Sequence, residues 1–272
     1  MDFQAKLNNL VKINNSLVCI GLDPEFSKLP KVIKQKENPQ FEFNKAIIDA
    51  THDLVAVYKP NSAFYEALGA KGIAELKMTC DYLRENYPEI PVLLDAKRAD
   101  IGHTNNGYVA FAYDYLQTDA ITVHPYLGSE ALKPFLERSE KQIFILCKTS
   151  NPGSGEFQDM TIDGKPFYQY VAEKVAKEWN TRGNCSLVVG ATYSEELQTV
   201  REIVGEMTIL VPGIGTQGGD VEQTVKAGLN AQKTGLLLSS SRGIIFASSG
   251  EDFAERAREE ATKLKEEINK YR

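Results

Sequence analysis

Asp95 and Lys97 stand two positions apart in LLDAKRAD, so on an extended strand both side chains leave the same face. Asp100 follows where that run ends, and Lys59 closes an earlier apolar run, so four charges of alternating sign can meet at neighbouring strand ends. Flanking carboxylates favour the ammonium form of a lysine, and flanking ammonium groups keep carboxylates ionised. The pattern describes an acid, Lys97, set among fixed anions. Schiff-base chemistry needs the opposite, a desolvated lysine of depressed pKa. A divalent cation on the two carboxylates would have to compete with two ammonium groups for the same oxygens. Proton donation without a metal is the expected chemistry, against the alternative of an ion network that only holds the fold.

A second group of residues suits an anion. Pro212 to Gly219 reads PGIGTQGG and leads into a helix at Asp220, and glycines there let backbone N–H groups approach a phosphate closely. Ser239-Ser240-Ser241-Arg242-Gly243 follows the next apolar run, and Arg242 offers a two-pronged donor. Asp23 in GLDP is placed either to bind a sugar hydroxyl or to cap a turn. Thr149 and Ser150 offer hydroxyls to a polar ring or to a turn. The Gly/Pro-rich stretch from Asn151 to Gly155 is a pocket wall or an ordinary connection.

These residues need a scaffold that brings strand ends together. Eight short apolar runs recur, at 17–20, 54–58, 92–94, 120–123, 143–147, 187–189, 209–211 and 236–238. Segments of helical periodicity fall between them, at 41–50, 70–87, 104–116, 166–181, 194–204 and 220–227, with 251–271 after the last. Continuous apolar strands joined by helices imply a parallel sheet buried on both faces, and eight units without a flexible linker fit a closed (β/α)8 barrel. Residues 1–272 are expected to form one such domain, with 1–14 a helix before the first strand. An open doubly wound sheet is the alternative, but no G-x-G-x-x-G follows the first strand. In the barrel, functional groups belong at strand C-termini and the loops beyond. GLDP, KPN, DAKRAD, HPY, KTSNPGSG, PGIGTQGG and SSSRG all fall there. In such barrels the loops after strands seven and eight are the usual phosphate site.

Composition sets the outer limits. The chain of 272 residues is 42% hydrophobic and 25% charged, with 31 Lys+Arg against 37 Asp+Glu and a net charge of −6. No global positive field exists to collect nucleic acid or anionic lipid, although a few local cations can still hold one phosphate. Cys19, Cys80, Cys147 and Cys185 show no C-x-x-C spacing and are expected in the core. His52, His103 and His124 show no metal-ligand spacing, and His124 is read as a packed barrel residue. The amphipathic start lacks the features of a signal peptide, so no membrane association and a cytoplasmic location are expected.

The ordered set GLDP, YKPNSAFYE, LLDAKRADIGHT, TVHPYLG, CKTSNPGS, LVVGAT, LVPGIGTQGGD and SSSRGI, from about Leu17 to Ala247, resembles the orotidine 5'-phosphate decarboxylases, particularly their longer-chain bacterial subgroup. D-x-K-x-x-D alone is shared by a wider suprafamily of phosphosugar enzymes; its combination with Lys59 and two phosphate loops is more specific. The resemblance implies a homodimeric (β/α)8 barrel that needs no cofactor and converts orotidine 5'-phosphate to UMP and CO₂. Lys97 would protonate the C6 carbanion, Asp95 would lie beside the substrate carboxylate, and Lys59 would bond Asp95 and the ribose. Asp100 would reach into the neighbouring subunit's site, and Thr104 would cross the interface toward the ribose. Asp23 would bind a ribose hydroxyl, Ser150 the pyrimidine ring, and Pro212, Gln217, Gly218 and Arg242 the phosphate end. The chain departs from shorter members in Pro60-Asn61 and in the long loop from Asn151 to Lys165. The rivals are a Mg²⁺-dependent sugar-phosphate decarboxylase or hexulose-phosphate synthase of the same suprafamily, which Lys59 argues against, and a non-catalytic phosphate-ligand sensor.

Overall fold

A computed structural model describes residues 2–214 and 220–272. The strands are β1 (Val18–Leu22), β2 (Val57–Pro60), β3 (Leu93–Arg98), β4 (Ala120–Val123), β5 (Gln142–Lys148), β6 (Thr161–Ile162), β7 (Lys165–Pro166), β8 (Cys185–Val189), β9 (Ile209–Pro212) and β10 (Leu236–Ser240). The helices are α1 (Phe3–Ile13), α2 (Lys31–Lys34), α3 (Pro39–Thr51), α4 (Ser62–Glu66), α5 (Gly69–Asn86), α6 (Gly102–Val109), α7 (Gly128–Leu136), α8 (Gly155–Gln158), α9 (Phe167–Lys174), α10 (Ser194–Val204), α11 (Val221–Gly228), α12 (Arg242–Ile245) and α13 (Phe253–Lys270).

Eight parallel strands run in the order β2-β1-β10-β9-β8-β5-β4-β3. The bridges Tyr58↔Val92 and Asn61↔Asp95 join the two ends, so the sheet closes into a barrel and the open doubly wound alternative fails. Closure follows from the strands' composition. All the residues of β1, β2, β4, β8 and β10 are buried, and burial on both faces requires helices outside and packed side chains within. The expected strands all form, each within a few residues of the sequence boundaries. Cys19, Cys80, Cys147 and Cys185 are all buried, and burial pushes each thiol up to about 12.

The N-terminal helix α1 is capped by Asp2, whose carboxylate accepts from Ala5 N–H at 2.8 Å. Its buried face, Phe3, Leu7, Leu10 and Val11, lies against the strand starts: Phe3 meets Phe144 edge-on, and Lys6 pairs with Asp119. That end of the barrel is thereby covered, which leaves the C-terminal end for the site.

Three features add to or depart from the sequence reading. Helix α7 fills the interval between Val123 and Ile143, for which eight strand–helix units require a helix although no segment is delimited there; burial of Ala131, Leu132 and Phe135 holds it despite Pro134. The long segment after β5 carries the β6–β7 hairpin, turned at Asp163 (φ +48°) and Gly164 (φ +78°), an Asp-Gly pair suited to that turn. The helices expected over 104–116 and 166–181 each widen into a π-helical turn, at Ala110–Tyr115 and Val175–Trp179.

Candidate active site

A cavity of about 500 Å³ opens at the C-terminal end of the barrel, a size suited to a small-molecule ligand. Asp23, Lys59, Asp95, Lys97, Ser150, Pro212 and Arg242 all line it. The barrel thus collects these seven side chains from six separate stretches of sequence at one mouth.

Asp95 is the hub. Its Oδ2 accepts from Lys59 Nζ at 2.9 Å and from Asn61 Nδ2 at 3.4 Å; its Oδ1 accepts from Lys97 Nζ at 2.6 Å and from Thr122 Oγ1 at 2.8 Å. Burial works against the Asp95 charge, but Lys59 and then Lys97 outweigh it and hold the carboxyl below the usual carboxylate range. Burial likewise works against the Lys59 ammonium, and the Asp95 and Asp23 carboxylates raise it above the usual lysine range. Lys59 and Asp95 are almost fully enclosed, whereas the Lys97 side chain is 49% exposed and faces the cavity. Both Asp95 oxygens are therefore occupied by cationic and neutral donors, an arrangement unlike a cation-binding carboxylate. Among the described residues no group of three or more His, Cys, Asp or Glu side chains is placed to hold a metal ion.

Asp100 is the exception to the expected convergence. The structure brings three of the four charges together within this chain, and Asp100 does not line the cavity. Beyond Arg98 the chain turns into α6, and Asn105 fixes that turn: its Oδ1 accepts from Asp100 N–H at 2.9 Å, while its Nδ2 donates to Asp100 O and to Ala131 O. The Asp100 carboxylate accepts from its neighbour Ile101 N–H at 2.6 Å. Thr104 is exposed on α6, also outside the cavity lining, and so is His124.

At the opposite side, Ser241 Oγ donates to Asp23 Oδ2 at 2.6 Å, while Asp23 Oδ1 is buried and has no partner among the described residues. The backbone on both sides of Asp23 is pinned from below: Tyr65 OH donates to Leu22 O at 2.9 Å, and Gln40 Nε2 donates to Pro24 O at 2.9 Å. Ser239, Ser240, Ser241 and Arg242 continue the wall from β10, facing Pro212 at the end of β9 and Gly213 beyond it. Gln217 and Gly218 lie outside the described residues.

The strand-five loop forms the remaining wall. Gln158 accepts from Thr149 N–H at 2.8 Å and lines the cavity with Thr149, Ser150 and Asn151. Lys148, fully buried at the end of β5, pairs with Asp159 at 2.6 Å and sits 4.5 Å from the Tyr193 ring centroid, which ties the loop to the barrel. Ser150 packs against Gly190 so closely that a Cβ at Gly190 would lie 2.7 Å from the Ser150 Cβ and 2.9 Å from its backbone N. The sequence marks Asn61 only as part of a departure from shorter family members and does not single out Thr122, Gln158, Lys148 or Gly190. A polar Thr122 inside an apolar strand was the one available signal; the others depend on tertiary proximity.

Fold and site together define a (β/α)8-barrel enzyme with an ammonium-flanked carboxylate and a hydroxyl- and arginine-lined wall at its C-terminal mouth. The chain belongs to the orotidine 5'-phosphate decarboxylase / HUMPS family, whose sequence model matches residues 16–257. It is 50% identical over 250 residues to the orotidine 5'-phosphate decarboxylase of Cellvibrio japonicus, covering 91% of each chain. Its fold superposes on the structure of Leishmania donovani OMP decarboxylase with a TM-score of 0.86 and 38% identity, over 100% of this chain and 99% of that one. It also superposes on Leishmania donovani UMP synthase, with a TM-score of 0.88 and 40% identity, where it spans 56% of the longer chain.

Proposed function

We propose that this chain decarboxylates orotidine 5'-phosphate to UMP and CO₂, the closing step of pyrimidine nucleotide synthesis, with its own side chains and no metal or cofactor. The observation that carries the reading is the Lys59–Asp95–Lys97 array beside the cavity, in a member of this family. The C6–carboxylate bond breaks heterolytically, CO₂ leaves, and the electron pair stays on C6. Lys97 gives C6 a proton, so substrate plus one proton becomes UMP plus CO₂.

Charge explains why this array suits that step. As negative charge moves from the carboxylate to C6, a pre-placed cation at Lys97 becomes better matched to it, and interactions that strengthen toward the transition state raise kcat. Asp95 stands beside the reacting carboxylate and aims Lys97, while Lys59 anchors Asp95 and reaches the ribose. The Oδ1 of Asp23, buried and without a partner among the described residues, supports a role in accepting a ribose hydroxyl. Ser150 addresses the ring, and Arg242 with Pro212 and the segment holding Gln217 and Gly218 takes the phosphate, whose remote binding energy helps exclude water from the ring.

We assign the working unit as a homodimer of single-domain chains in which Asp100 and Thr104 serve the neighbouring site. Their positions outside the cavity of their own chain support this, as does the exposure of Ile101 beside Asp100 and of Tyr126 and Leu127 just before α7. No helix among the described residues is long and apolar enough to cross a membrane, and we place the enzyme in the cytoplasm. The occupied oxygens of Asp95 disfavour the Mg²⁺-dependent alternative. The test is loss of orotidine 5'-phosphate absorbance with purified protein, before and after EDTA treatment. Turnover unchanged by EDTA is expected; no turnover, or turnover only with added Mg²⁺, overturns the reading.

A further inference from the structure

Thr122 is a buried polar residue in the otherwise apolar strand β4. It stands opposite an irregularity in the barrel wall. Ile121 pairs with Leu94 and Val123 with Arg98, so Thr122 alone faces Asp95, Ala96 and Lys97. Within that bulge Lys97 has φ +47°, a backbone region that residues with side chains rarely occupy. Bulges re-aim side chains, and a residue held in such a conformation persists only where its surroundings over-determine it.

One hydroxyl supplies part of that determination at two points. Lys97 N–H donates to Thr122 Oγ1 at 2.9 Å, and Thr122 Oγ1 donates to Asp95 Oδ1 at 2.8 Å. The directions are forced: an amide N–H only donates, an ionised carboxylate only accepts, and a hydroxyl can do both at once. Asp95 Oδ1 also accepts from Lys97 Nζ at 2.6 Å. A closed loop results, in which Thr122 holds Lys97 directly at its backbone and indirectly at its ammonium.

We propose that Thr122 is a positioning residue for the decarboxylation, its hydroxyl fixing both the backbone of the proton donor and the carboxylate that aims the donor's ammonium. The proposal rests on the decarboxylase reading above. Its effect falls on the chemical step, because Thr122 acts through Lys97 and Asp95, while Asp23 and Arg242, assigned to ribose and phosphate, lie beyond the ends of other strands, β1 and β10. Misplacement of a reacting group by about 1 Å costs roughly 100-fold in rate.

The experiment compares steady-state kinetics of wild type, Thr122→Val and Thr122→Ser with orotidine 5'-phosphate, alongside calorimetric titration with UMP. Thr122→Val keeps the side-chain shape and loses the hydroxyl; kcat is expected to fall roughly 100-fold, with KM and UMP affinity within a few-fold of wild type. Thr122→Ser restores the hydroxyl and is expected to recover most of kcat. Unchanged kcat in Thr122→Val, a loss confined to KM, or a serine variant as impaired as the valine one overturns the assignment. Should Thr122→Val fail to fold, Thr122→Ala against Thr122→Ser decides by the same criteria. An inactive wild type overturns the decarboxylase reading and this assignment with it, whereas an active wild type with unimpaired Thr122→Val overturns this assignment alone.

Discussion

Lys97 Nζ lies 2.6 Å from Asp95 Oδ1, although on a regular strand the two Cβ atoms would stand about 7 Å apart, side by side on one face. The β-bulge and left-handed backbone at Lys97 accompany this contact, and Lys59 takes the carboxylate's other oxygen from the neighbouring strand. Asp95 is thus a buried anion between two cations, one enclosed and one facing the cavity.

Asp95→Asn leaves Lys59 enclosed without its partner carboxylate, and breaking a buried pair this way costs about 3 kcal/mol. Urea unfolding is expected to show that loss at pH 7, and a smaller one for Lys97→Ala, whose side chain is half exposed. The pH dependence has a definite sign. The folded-state pKa of Asp95 is depressed, so its contribution is present above the unfolded carboxylate value of about 3.9 and is lost as pH falls below it. The gap between wild type and Asp95→Asn is therefore expected to be constant from about pH 9 to 5 and to shrink below about 4. A gap that closes between pH 5 and 7 would contradict a depressed Asp95.

Tyr65→Phe removes the donor to Leu22 O and leaves that carbonyl and Asn44 Nδ2 short of a partner, at a cost of about 1–3 kcal/mol. Because Leu22 precedes Asp23, KM for orotidine 5'-phosphate is expected to rise several-fold while kcat changes little. A fall in kcat with unchanged KM would show that Asp23 serves the chemical step rather than ribose binding.

Gly190→Ala forces the Ser150 backbone to move, since the added Cβ would lie 2.7 to 2.9 Å from Ser150 atoms. Loss of one hydrogen bond to the ring, about 1 kcal/mol, is expected to raise KM several-fold. Kinetics identical to wild type would remove Ser150 from the ring-binding set.

The proposed sharing of sites between subunits is open to complementation. Lys97→Ala and Asp100→Ala chains, each nearly inactive alone, are expected to regain part of the activity when mixed, because half of the sites in a hybrid carry neither substitution. No recovery despite subunit exchange shown by native mass spectrometry would place Asp100 in its own chain's site.

The barrel was legible because eight apolar runs and their intervening helices each carry a strong period, and the strand ends then collected the polar motifs. Lys59, Asp95 and Lys97 converge as their spacing implied, though through a bulge that alternation alone does not describe. Asp100 was misplaced within the chain by the same logic, since the turn that Asn105 fixes carries it away from the strand face. Helix α7 follows from the count of eight strand–helix units rather than from a delimited segment, and the local penalty of its Pro134 is overridden by the burial of Phe135 and Leu132. Thr122, Gly190 and Gln40 act across strands or helices distant in sequence, so nothing local marks their partners. Gln217 and Gly218 lie outside the described residues.

The central claim, that Lys97 delivers the proton to C6, is tested most directly by single-turnover measurement of CO₂ release and UMP formation with Lys97→Ala at saturating orotidine 5'-phosphate. Loss of a transition-state cation and proton donor is expected to lower the rate by at least about 1,000-fold, with UMP still bound and the fold retained. A Lys97→Ala rate within about tenfold of wild type would contradict the account.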